Sequence, residues 1–200
     1  MSLKSLNSIQ KSAVEAVKGP VLIFAGAGSG KTRVLTHKLY YLVREGLFEP
    51  EDILAVTFTN KAAEEMKSRV MKLLKRKSLS LSIGTFHSIC ARLLREDIKT
   101  IGFSKNFAIY DVKDQLALIK VLIAELNIPK HLLTPNQVRN QISFCKNKMI
   151  TPDMQARKSR TIMEKNIVKI YYAYQKALKV NDALDFDDLI LYPLEIFNKK

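Results

Sequence analysis

Gly28, Ser29, Gly30, Lys31 and Thr32 follow one another inside the stretch Ala25-Gly26-Ala27-Gly28-Ser29-Gly30-Lys31-Thr32. These residue types at this spacing suit the holding of phosphate. The glycines let the backbone turn so that its N–H groups converge on anionic oxygens. A helix opening directly behind the loop adds the positive end of its dipole. Lys31 then reaches the β- and γ-phosphates of a nucleotide, and the Thr32 hydroxyl holds Mg²⁺. The usual first glycine of such a loop is Ala25 here, a place alanine fills while its φ stays negative. The loop does not name a function, because kinases, transporters, GTPases and motors share it.

Such a loop needs a strand before it and a helix after it. Val21 to Ala25 is a short apolar run and predicts a buried central strand. Lys31 to Arg44 carries Val34, Leu35, Leu39 and Leu42 on one side and predicts a helix stopped by Gly46. Leu6 to Val17 predicts a helix ended by Gly19-Pro20. Ile53 to Phe58 and Leu81 to Phe86 predict further strands, with an amphipathic helix over Ala62 to Leu74 between them. Strand, helix, strand, helix, strand is the pattern of a parallel sheet flanked by helices, an α/β fold.

From Asp111 onward the pattern is almost wholly helical. Asp111 caps a helix over Val112 to Asn127, and Thr134-Pro135 opens one over Asn136 to Lys146. Ile162 to Leu178 and Phe186 to Asn198 predict two more. The change divides the chain into a nucleotide-binding part, 1–104, and a mostly helical accessory part, 105–200.

Four segments in order narrow the reading. They are Leu6-Asn7-x-x-Gln10, the glycine loop through Arg33, Ala55-Val56-Thr57-Phe58-Thr59-Asn60-Lys61-Ala62-Ala63-Glu64-Glu65-Met66, and Gly84-Thr85-Phe86-His87-Ser88. Together with Asp185-Phe186-Asp187-Asp188-Leu189, they resemble the N-terminal part of the UvrD/Rep/PcrA helicases of superfamily one. The resemblance covers essentially the whole chain. It implies a RecA-like P-loop fold with an all-helical insertion, ATP and Mg²⁺ as cofactors, and 3′ to 5′ movement on single-stranded DNA with unwinding at a single-strand/duplex junction. It implies that Gln10 reads adenine and that Arg33 packs near the base. It further implies that Phe58 stacks on a DNA base, with Thr59, Asn60, Lys61, Thr85, Phe86 and His87 beside the strand. An amide can both donate to and accept from an adenine edge, which suits Gln10. Without the resemblance, Gln10 and Arg33 read as solvated helix residues, and Phe58 as a core residue ending a strand.

The chain has 200 residues, 47% apolar, and a net charge of +14, a balance that favours an anionic partner with nucleic acid first. The bases Lys67, Arg69, Lys72, Lys75, Arg76, Lys77, Arg92 and Arg95 form one run without an acid. Arg139, Lys146, Lys148, Arg157, Lys158, Arg160, Lys165 and Lys169 form a second, with Asp153 and Glu164 interspersed. Either can follow a phosphate backbone or serve as a solvated helix face; the resemblance favours DNA for the second. Cys90 and Cys145 read as small buried hydrophobes, and His37, His87 and His131 have no zinc spacing. Two cysteines make no disulfide framework, so a reducing cytoplasm is expected, and no run suits a signal peptide or a membrane span.

An ATPase of this kind also needs an acidic pair, one carboxylate for Mg²⁺ and one for the attacking water. In the resembled family that pair, and the second motor domain, follow the Asp-Phe-x-x-Leu stretch. Asp111 ends an apolar run but no Glu follows it; Asp185, Asp187 and Asp188 have no apolar strand before them. The expectation is a motor portion that binds ATP without useful turnover. Two other readings stand beside it: a nucleotide- or DNA-binding module without chemistry, and a P-loop enzyme of another class.

Overall fold

A computed structural model describes residues 3–76, 80–129 and 131–199; Lys77 of the first basic run lies outside them. The chain divides into two compact units, residues 1–89 and 90–200, a boundary ahead of the compositional change near 105.

In the first unit, Asn7 opens helix α1 (Ser8–Glu15) with a reciprocal cap, its side chain accepting from the Gln10 amide while the Gln10 side chain accepts from its own. Helix α2 (Lys31–Arg44) follows the glycine loop, with the bounds its periodicity predicts. Strand β1 (Leu54–Thr57), helix α3 (Asn60–Leu74) and strand β2 (Ser82–Thr85) form a β-α-β unit, and helix α4 (Phe86–Asp97), which the sequence reading missed, starts at the end of β2. The strands pair in parallel, Leu54 opposite Ser82 through Thr57 opposite Thr85. Leu39, Ile53, Met66, Val70 and Leu81 form the core beneath them. Burying each such side chain stabilises the unit by about 1.5–3 kcal/mol.

The expected strand at Val21–Ala25 is absent. These residues have no strand structure, and Leu22 and Phe24 are 79% and 91% exposed. A strand needs a neighbouring ladder for its backbone groups. Among the described residues β1 pairs only with β2, so this run is left without a partner. Leu54, at the start of β1, is also exposed rather than buried.

The second unit is helical around a short sheet. Strands β3 (Ala108–Tyr110) and β4 (Ala183–Asp185) pair in parallel. Between them in sequence lie helices α5 (Val112–Glu125), α6 (Pro135–Asn147), α7 (Pro152–Lys158) and α8 (Ile162–Val180); helix α9 (Phe186–Lys199) follows β4. Asp111 and Thr134 cap α5 and α6 as their side chains predict. The unit is therefore not all-helical, and the short strand β4 ends on Asp185, ahead of Asp187 and Asp188. Ile119, Val138, Ile142, Ile170 and Tyr174 lie at the centre of its core. Cys145 is buried there, whereas Cys90 is only half-buried.

Candidate functional site

The glycine loop turns through Gly28 and Gly30, at φ 75° and 84°. A Cβ on Gly30 would stand 3.1 Å from the Gln10 Nε2, so the residue type serves both the turn and the close approach of α1. Gln10 donates from Nε2 to the Ser29 carbonyl at 3.1 Å and fixes its helix against the loop. Lys38, one turn along α2 from the buried Val34, donates to the carbonyls of Ala13 and Ala16 at the end of α1. A cation there complements the helix dipole, and burial lowers the Lys38 pKa. Lys38 thus helps position Gln10, a role no local signal revealed because its partners lie 22 and 25 residues away.

Lys31 folds back over the loop, its Nζ donating to the carbonyls of Gly26 at 2.7 Å and Ala25 at 3.1 Å. The Ser29 hydroxyl also donates to the Gly26 carbonyl. Gln10, Ala25, Gly26, Ser29 and Lys31 line one cavity of 540 Å³, whose apolar wall includes Ile23, Phe24 and Val34. That volume lies in the range of small-molecule sites. None of the described residues lining it is acidic. Thr32 is exposed at the start of α2. Arg33 donates to the Ser5 carbonyl at 2.8 Å and lines a different cavity, between α2 and α3.

A second group gathers where β1 and β2 end side by side. Thr59 caps α3, its hydroxyl accepting from the Ala62 amide. Thr85 donates from Oγ1 to the Asn60 Oδ1 at 3.4 Å, which ties the two strand ends together. The Thr85 amide donates to the Ser88 Oγ, and the Ser88 amide donates to the Thr85 Oγ1. Gly84 makes this possible: a Cβ there would lie 2.7 Å from the Ser88 Oγ. Phe58 is 98% exposed and Phe86 is 59% exposed, while Lys61 and His87 are also at the surface. The carboxyl edge of parallel strands is where open α/β sheets present ligand-binding groups.

The descriptions of the loop and this edge meet in a comparison with known sequences. A model of the UvrD/REP helicase N-terminal domain matches residues 6–200. The chain belongs to this family. It is 44% identical over 197 residues to the ATP-dependent DNA helicase PcrA of Bacillus subtilis strain 168, covering 98% of this chain and 27% of that protein. Its identity to the proteins of that name in Staphylococcus epidermidis strain RP62A and Staphylococcus aureus strain NCTC 8325 is 43% over the same length. The chain thus spans about a quarter of the length of these curated relatives.

Other sequence expectations of this UvrD/REP family chain need revision. Lys146 is no surface base. It is wholly buried, with Nζ 2.7 Å from Asp185 Oδ2 and 2.7 Å from Asp188 Oδ1. Tyr174 donates to the same Asp185 oxygen at 3.0 Å. Lys148, Arg157, Lys158, Arg160, Lys165 and Lys169 are exposed. Arg95 donates to the Lys105 carbonyl and lies 4.6 Å from the centre of the Phe107 ring. Asp111 accepts from the amides of Lys113 and Asp114, the work of a helix cap, and these backbone bonds hold its carboxyl below the usual range. Among the described residues no helix is long and apolar enough to cross a membrane, and no group of three or more His, Cys, Asp or Glu stands ready to hold a metal ion.

Proposed function

We propose that this chain is the ATP- and single-stranded-DNA-binding portion of a 3′–5′ ATP-dependent DNA helicase. The observation that carries the reading is the convergence of Gln10, Ser29 and Lys31 on one cavity at the mouth of a glycine-turned loop. In this reading the loop is a P-loop. Lys31 exchanges the Ala25 and Gly26 carbonyls for phosphate oxygens, and Gln10 offers its amide to the adenine edge. Arg33 opens the helix behind the loop but donates to the Ser5 carbonyl and lines a different cavity. Ala27, Gly28, Gly30 and Thr32 complete the phosphate cradle.

Thr32 would hold Mg²⁺ through its hydroxyl, and the ion would supply positive charge beside the phosphates. Because no described residue lining the cavity is acidic, residues 1–200 bind ATP without activating water for attack. Turnover belongs to a longer protein of the same family, whose further motor domain is the partner of this one.

Single-stranded DNA lies along the shared end of β1 and β2. Phe58 offers its ring to a base, and Thr59, Asn60, Thr85 and the N-terminus of α3 meet phosphate. Phe86, His87 and Lys61 flank the path. A place in DNA repair and a cytoplasmic location accord with this reading.

The test is nucleotide binding and hydrolysis by residues 1–200, with and without oligonucleotide, beside the Lys31→Ala variant. ATP should bind to the wild-type chain and much less to the variant, with no DNA-stimulated turnover in either. ATP affinity unchanged by Lys31→Ala would sink the assignment of the loop. DNA-stimulated hydrolysis by the wild-type chain would show that an acid inside it acts, and Asp111 would be the first to replace.

A further inference from the structure

The face of α2 bearing Arg33, Thr36 and His37 encloses, with Arg69, Lys72 and Leu73 of α3 and with Lys75 after it, a cavity of 440 Å³. Four of these residues are permanently cationic, and none of the described residues lining the space is acidic. Arg69 has one counter-charge, Glu65 on its own helix and outside the lining. The cations do not simply follow the helix. Lys67 and Arg76 belong to the same basic run and do not line the cavity, while Arg33 reaches it from a different helix.

Local effects account for only part of this. The negative end of the α3 dipole favours Lys72 and Lys75 at its C-terminus. It gives no reason for Arg33 to face the same space, and like charges gathered at one site repel. The lining is largely apolar but includes two buried polar side chains. Thr36 and His37 are buried; the Thr36 hydroxyl donates to the Thr32 carbonyl, and His37 Nδ1 lies 2.8 Å from the Arg33 carbonyl. A carbonyl only accepts, so Nδ1 carries a proton. The result is a concave space of small-molecule size edged by Lys72, Lys75, Arg69 (paired with Glu65) and Arg33 (donating to the Ser5 carbonyl), and arginine is the side chain that best grips phosphate oxygens.

We propose that this α2–α3 cavity is a second anion site, for a small ligand bearing several phosphate groups, separate from the glycine loop. Arg33 begins the helix one residue after Thr32, so occupancy here is felt at the first turn of α2. The site stands on charge and shape alone and does not depend on ATP binding at the loop.

Inorganic tripolyphosphate serves as the probe, titrated calorimetrically into the 200-residue chain and its variants at physiological salt, where weak surface attraction is screened. Lys31→Ala should retain a tripolyphosphate site. In that background, Arg69→Ala with Lys72→Ala should weaken it at least about tenfold, because each replacement removes a charge-assisted bond. Both residues are exposed, and unchanged thermal melting checks the fold; if the double variant melts early, Lys72→Gln alone supplies the comparison, with a smaller loss of the same sign. Complete loss of binding in Lys31→Ala, or less than about a threefold change on removing the rim cations, overturns the proposal. A short single-stranded oligonucleotide added as competitor separates the sources of phosphate. Failure to displace the probe supports a small ligand; displacement assigns the cavity to a nucleic-acid backbone and overturns the small-ligand assignment.

Discussion

The ammonium group of Lys146, at the end of α6, lies 2.7 Å from the carboxylate of Asp185, at the end of β4, with both side chains removed from water. The same lysine contacts Asp188 in the first turn of α9. One buried cation therefore joins a helix, a strand and a second helix. Lys146→Met keeps most of the volume but leaves two carboxylates without their cation. Breaking a buried pair in this way costs about 3–5 kcal/mol. Urea denaturation should show a loss of that size, and a change within experimental error would mean the cluster contributes nothing net.

A single positive charge cannot balance two buried carboxylates. Asp188 accepts from Lys146 through Oδ1 and from the Asp185 amide through Oδ2. Burial pushes its pKa up to about 7, the Asp185 charge adds to this, and Lys146 opposes it. Burial also opposes the charge of Asp185, but Lys146 and the Asp188 amide hold that group below the usual range. An unfolded aspartate titrates near pH 4. From there to about 7 the folded chain keeps a proton on Asp188 that the unfolded chain has released, so this group's contribution to stability declines as pH rises. Asp185 acts with the opposite sign, adding stability above its unfolded pKa and losing it as pH falls further. Asp188→Asn should remove the decline between these limits in denaturation curves taken at several pH values. An equal slope in variant and wild type would refute the assignment.

Phe58 separates stability from binding. Its ring is 98% exposed, so Phe58→Ala should leave the melting temperature unchanged. If the ring stacks on a base, single-stranded DNA affinity should fall by about 1–3 kcal/mol. Fluorescence anisotropy with a labelled oligonucleotide measures this, and unaltered affinity would remove Phe58 from the DNA path.

Gly84→Ala tests the strand-end geometry. The added methyl would meet the Ser88 Oγ at 2.7 Å and the Ile89 Cγ1 at 3.1 Å. Overpacking of this kind costs about 1–3 kcal/mol. Oligonucleotide binding should weaken as well, since Thr85 and Ser88 would shift. A variant as stable as wild type would show that α4 adjusts without strain.

Sequence revealed the elements whose causes are local. The bounds of α2 follow from its apolar spacing, and the caps at Asp111 and Thr134 from side chains that bond amides two or three residues on. The turn of the glycine loop was equally legible, because Gly28 and Gly30 take the positive φ that glycine favours. What depended on distant partners was not. Val21–Ala25 has the composition of a strand, but composition supplies no ladder. Strand β4 is only three residues long, too short for periodicity to register. Lys146 sits among surface bases in sequence, and its carboxylate partners follow 39 and 42 residues later. The second run of eight bases thus included one residue, Lys146, that belongs to the core.

The strand pair β3–β4 also bears on how the second unit comes into being. Ser104 donates to Asp182, 78 positions away, and Ala108 donates to the Asp182 carbonyl beside it. Helices α5 to α8 lie within the loop that this ladder closes. Bringing such remote ends together must be offset before either strand gains its hydrogen bonds, and contacts of long sequence separation slow folding. The helices can therefore nucleate early from their own caps, ahead of the ladder that joins ends so far apart in sequence. A chain emerging from the ribosome can pack α5, α6 and α8 on one another before Asp185 is free, but it closes the ladder and seats α9 only afterwards.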